Sequence, residues 1–115
     1  MKTAELTGAA LDWAVARITN PQWWEDGYMD GDPYAALDMD DGTTYNPSTN
    51  WEQGGPIIER EGIELLCESL GFRWVAIPQN GPEWRGPTPL IAAMRCYVAS
   101  KLGDEVEIPA ELTGA

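Results

Sequence analysis

The sequence predicts an α+β domain: a small antiparallel β-hairpin or sheet sandwiched with N-terminal and C-terminal helices. Three observations carry that reading. Residues 7–18 place Leu11, Ala14, Val15 and Ile18 on one helical stripe. Residues 63–77 hold two short runs with a period of two: Ile63, Leu65 and Cys67 alternate with Glu64 and Glu68, and Phe72, Trp74 and Ala76 with Arg73, Val75 and Ile77. Residues 88–102 open on Thr-Pro, stay largely apolar and stop at Gly103. A chain of 115 residues suits one domain, taken as 1–115 with an acidic loop insertion at about 20–44.

Each element has a local reason. Thr7 is the expected N-cap of the first helix, and Asn20-Pro21 stops it, because a residue before proline avoids helical backbone angles. Residues 21–46 show no sustained period and carry Glu25, Asp26, Asp30, Asp32, Asp38, Asp40 and Asp41 with no basic residue. They read as a long acidic loop with one short turn at 34–37. In 47–61, Ser48, Thr49 and Asn50 offer caps, but Gly54-Gly55-Pro56 opposes a regular helix. The expectation is a kinked helix, or one that starts at Pro56, ending at Gly62. Ile63–Glu68 and Phe72–Ile77 read as paired strands around Ser69-Leu70-Gly71, with a helix over 63–70 as the rival. Residues 78–87 read as a second loop. Leu90, Ile91, Met94, Tyr97, Val98 and Leu102 form the apolar face of the last helix, and Val106–Ile108 is a short edge strand. The hairpin is expected between the two terminal helices, burying Leu11, Val15, Leu65, Trp74, Leu90, Met94 and Val98.

Composition excludes several functions. Nineteen acidic against seven basic residues give a net charge of −12, which opposes direct binding to nucleic acid or to an anionic membrane. No apolar stretch approaches the length of a membrane span, and no secretory signal is visible. The absence of His removes Ser-His and Cys-His catalytic pairs. Cys67 and Cys96 read as free thiols of a reducing cytosol. An EF-hand started at Asp26 fits Asp30 and Gly31 but puts Tyr28 and Leu37 where acids belong, so no metal is expected. No carboxylate stands in a sequence context that visibly raises its pKa. No phosphate-binding loop is present, and the reading is of a protein that is not an enzyme and needs no cofactor.

Aromatic content says more. Six tryptophans are many for this length. Trp13 and Trp74 fall on regular elements and read as core. Trp23, Trp24, Trp51 and Trp84 fall in or beside polar, Gly- and Pro-rich segments, where an indole serves a pocket or an interface. The candidate ligand-binding set is Tyr45, Ser48, Thr49, Asn50, Trp51, Gln53, Gly54, Gly55 and Arg60, with Trp84 and Arg85 as an opposite wall. The glycines admit close approach, the polar residues supply donors and acceptors, and Arg60 or Arg85 can receive an anion. Arg73 is a third scarce cation of the same kind. The competing reading makes Trp51 a core residue and Gly54-Gly55 a device for tight helix packing.

Three blocks resemble a known family. Glu5-Leu-Thr-Gly-Ala-Ala-Leu-Asp-Trp-Ala-Val-Ala16, Tyr45-Asn-Pro-Ser-Thr-Asn-Trp-Glu-Gln-Gly-Gly-Pro-Ile-Ile-Glu-Arg60 and Gly86-Pro-Thr-Pro-Leu-Ile-Ala-Ala-Met-Arg-Cys-Tyr-Val-Ala-Ser-Lys-Leu-Gly103 are similar to the NinX-like family of lambdoid phages and prophages. They cover about two fifths of the chain, in the family's order. The acidic stretch from Asn20 to Thr44 is the departure. The resemblance implies a phage accessory protein of the host bacterial cytoplasm and brings no catalytic residues. From this follows the expectation of a binding protein that counteracts host defence by sequestering a small, nucleotide-like molecule. Its partner is that ligand or a host protein, with homo-oligomerisation open. The alternative is an acidic nucleic-acid mimic that blocks a host nucleic-acid-binding protein.

Overall fold

The computed structural model of the chain describes residues 1–20, 37, 42–68 and 73–113. The acidic residues 25–41, the 34–37 turn apart from Leu37, Trp23, Trp24, the Ser69-Leu70-Gly71 turn and Phe72 lie outside the described residues.

The chain opens with a 3-10 turn, Thr3–Glu5, and then α1, Gly8–Thr19. Thr7 occupies the N-cap position, although its side chain makes no cap bond. The second helix, α2, spans Trp51–Glu61 and contains Pro56. It starts well before the proline because Asn50 caps it, its Oδ1 accepting from the Glu52 N–H at 2.9 Å. The bond that Pro56 cannot make falls to the carbonyl of Glu52, an exposed residue that water can serve. Gly62 ends α2 in the left-handed conformation (φ 65°), and the Ile63 N–H bonds back to the Ile58 carbonyl at 3.1 Å.

A three-stranded antiparallel sheet follows, in the order β1 (Glu64–Glu68), β2 (Arg73–Ile77), β3 (Trp84–Gly86). The rival helix over 63–70 is therefore excluded. The reading of 78–87 as loop throughout is corrected by β3, which pairs Ala76 with Trp84 and Trp74 with Gly86. A strand of three residues is too short to show an alternation, so it left no periodic signal.

The last long helix, α3, spans Pro89–Leu102, with Thr88 Oγ1 accepting from the Ile91 N–H at 3.1 Å and Gly103 at its end. Residues 106–108 form no edge strand. The tail makes one isolated bridge, Lys2 to Glu105, and a short helix, α4 (Ala110–Thr113). The backbone of Met1 and Val106 exchanges two bonds, and Thr3 Oγ1 donates to the Gly103 carbonyl. The N-terminal segment is thereby laid beside β3 and the end of α3.

The α+β class holds, but the layer order differs from the expectation. The central layer is α3, not the hairpin: the sheet, α1 and α2 all contact it. Ala92 lies against Gly86 of β3, whereas Leu90 and Tyr97 meet α2. A helix covered on both sides must be apolar over most of its circumference. Leu90, Ala92, Ala93, Met94, Cys96, Tyr97 and Val98 are all buried. Of the expected core residues, Leu11, Val15, Leu90, Met94 and Val98 are buried, and Leu65 and Trp74 are half-buried against the core. Among the described residues no helix is long and apolar enough to cross a membrane.

Candidate functional site

The sequence-derived candidates divide between two places. In the first block, most polar groups hold the chain together. Gln53 accepts from the Asn46 N–H through Oε1 and donates through Nε2 to the Thr44 carbonyl at 3.0 Å. Asn50 caps α2, and Thr49 is exposed, its hydroxyl 3.4 Å from the Asn46 carbonyl. Tyr45 is half-buried, with its hydroxyl 2.8 Å from that of Thr19. Gly54 is buried where a Cβ would stand 2.6 Å from both Leu90 Cδ2 and the Pro47 carbonyl oxygen. Gly55 faces open space. Trp51 is 54% exposed, so it is not a core residue. Arg60 reaches across to α3, donating to the Tyr97 hydroxyl at 3.2 Å with its guanidinium 5.9 Å from the ring centre.

Ser48 exposes a buried carboxylate that the sequence concealed. Its N–H donates to Asp12 Oδ1 at 2.8 Å, and Asp12 is only 5% exposed. Burial pushes the Asp12 carboxyl up to about 6, against the opposing pull of Ser48. The Ser48 hydroxyl is buried beside it with no hydrogen-bond partner of good geometry. The expectation that no carboxylate stands in a sequence context that visibly raises its pKa is corrected at Asp12. Its apolar neighbours in sequence, Leu11 and Trp13, were the available signal.

Trp84 and Arg85 belong to a different surface. With Ala4, Arg73, Pro82, Glu83, Gly86, Pro87 and Arg95 they line a groove of about 580 Å³ beside β3. That volume matches small-molecule sites. The wall facing them is the N-terminal turn and α3, not the 45–60 block. Arg85 is held by Glu68 at 3.2 Å and Glu83 at 2.9 Å, and Arg73 meets the same Glu68 at 3.5 Å. Hydrogen bonding to Arg85 holds the Glu68 carboxyl below its ordinary range. Arg95 donates from Nε to the Leu6 carbonyl and from Nη1 to the Arg85 carbonyl, both at 2.9 Å. Burial alone lowers the Arg95 pKa. Sequence reading missed Arg95, although one charge inside the apolar run 89–100 was a usable signal. Cys67 is exposed and Cys96 buried, both as free thiols, and burial pushes Cys96 up to about 11. Among the described residues no cluster of His, Cys, Asp or Glu could hold a metal ion.

Comparison with protein families then gives a match to the family described as Bacteriophage P22, NinX, over residues 2–101. The chain belongs to the phage P22 NinX family. The match runs through all the elements from the N-terminal turn to α3, and so includes every residue that lines the groove. It also runs through the acidic stretch that the resemblance set apart. Against curated proteins this NinX-family chain has no significant match.

Proposed function

We propose that this NinX-family chain acts by binding, not catalysis. It sequesters a small, nucleotide-like ligand in the groove beside β3, in the cytoplasm of the bacterial host, and thereby counteracts host defence. One observation carries the reading: three of the seven basic residues of a chain with net charge −12 converge with Trp84 on one groove. Such a concentration against the overall field gives an anionic group a local destination, and the indole gives a planar ring a surface. The absence of His and the neutral Cys96 thiol support a non-catalytic role. Of the sequence-derived site, Trp84 and Arg85 keep their assignment; Tyr45, Ser48, Asn50 and Gln53 take on architectural duties, and Trp51 remains an exposed contact. The test is native mass spectrometry of the protein purified from phage-carrying bacteria, before and after denaturation. A bound small molecule released on denaturation is the expected result. A bare protein mass, with no binding by nucleotides added afterwards, refutes the reading.

The net charge favours a second reading, an acidic mimic that blocks a host nucleic-acid-binding protein. Replacing Asp30, Asp32, Asp38, Asp40 and Asp41 by Asn separates the two. Ligand sequestration survives that change, whereas a mimic loses its partner.

A further inference from the structure

The ion pairs around the groove fix its charge balance. Arg73 and Arg85 share Glu68, and Arg85 also holds Glu83. Among the described residues no carboxylate comes within ion-pair distance of Arg95. Three guanidiniums against two carboxylates leave one positive charge, and it rests on Arg95. That side chain is already oriented. Its Nε and Nη1 are fixed by carbonyls of two different segments, Leu6 and Arg85. Its remaining N–H groups therefore meet an anion with little further loss of rotamer freedom.

We propose that the groove is matched to a single negative charge. It takes a monoanionic oxyanion, phosphodiester or carboxylate, carried on a planar ring, with Arg95 as the anchor. It disfavours doubly charged phosphate esters and polyphosphates. This rests on the groove being the ligand site. One negative charge neutralises the excess on Arg95. A second falls within a Debye length of Glu68 and Glu83, inside the field of a strongly acidic chain, and is repelled.

Calorimetric titration of the full chain with adenosine, cyclic AMP, AMP and ATP varies the charge on one ring system. Cyclic AMP is expected to bind tightest, with AMP weaker by roughly threefold to tenfold, ATP weaker still and adenosine without its anchor. Nicotinate against nicotinamide separates the two oxyanions. A nicotinate preference assigns the carboxylate, and its absence beside a cyclic AMP preference assigns the phosphodiester. Glu83→Gln, an exposed change that doubles the net positive charge, should raise AMP relative to cyclic AMP. AMP or ATP binding more tightly than cyclic AMP overturns the charge match but leaves the groove as the site. An unchanged AMP to cyclic AMP ratio in Glu83→Gln overturns it equally. No binding by any probe overturns this inference and the groove reading together.

Discussion

Burial of Asp12 takes its carboxylate out of water, and the Ser48 N–H returns only part of what hydration supplied. The folded state therefore holds a proton on Asp12 up to about pH 6, whereas the unfolded chain releases it near the ordinary value of 3.8. The sign follows. The stability associated with protonated Asp12 is fully present below the unfolded pKa and is lost as pH rises through the folded one. Denaturant midpoints should fall between about pH 4 and pH 6 through this group. Asp12→Asn keeps an acceptor for the Ser48 N–H and offers an N–H to the buried Ser48 hydroxyl beside it. It should raise stability at pH 7 by on the order of 1–3 kcal/mol and flatten that slope. A variant less stable than wild type at pH 7 would show that the charge itself is held favourably.

Helix α2 is the element where sequence reading and structure differ most instructively. Its end at Gly62 could be read from residue types, and its cap, Asn50, was one of three that the sequence offered with Ser48 and Thr49, because a left-handed stop and a side-chain cap are local chemistry. Its continuity through Gly54-Gly55-Pro56 could not, because that depends on what the two glycines face. Gly54 faces Pro47 and Leu90, and Gly55 faces nothing. Adjacent Gly→Ala substitutions should thus have opposite effects. Gly54→Ala pushes a methyl group into a backbone oxygen and should cost about 1–3 kcal/mol. Gly55→Ala meets no atom, gains helix propensity and should stabilise by about 0.5–1 kcal/mol. Thermal melts of the two variants check this, and equal effects would contradict the packing of α2 on α3. The same limit hid β3. Trp84 and Arg85 stand out by residue type, but their partners Arg73 and Arg95 lie on other elements, and only the register of β2 with β3 and the bonds of Arg95 bring them together. The 45–60 block read as a site because polar side chains on a Gly-rich segment look alike whether they bind a ligand or the backbone of their own loop.

At the scale of the whole molecule, α3 organises everything else: the sheet, α1, α2 and the N-terminal turn all pack on it. Met94 is fully buried at its middle. Met94→Ala should cost about 2–4 kcal/mol, measured by denaturant unfolding. A near-neutral result would mean that the layers close up around the cavity. The same helix carries Arg95 to the groove, so the core and the candidate site share one scaffold. Assigned NMR spectra of the arginine side-chain Nε–H and the Asn and Gln side-chain amides, recorded during titration with cyclic AMP, test the placement of the site most directly. The groove assignment requires the Arg73, Arg85 and Arg95 signals to shift while those of Asn50 and Gln53 stay in place. Shifts centred on Asn50, Gln53 and Arg60, with Arg95 unmoved, would contradict it and return the site to α2.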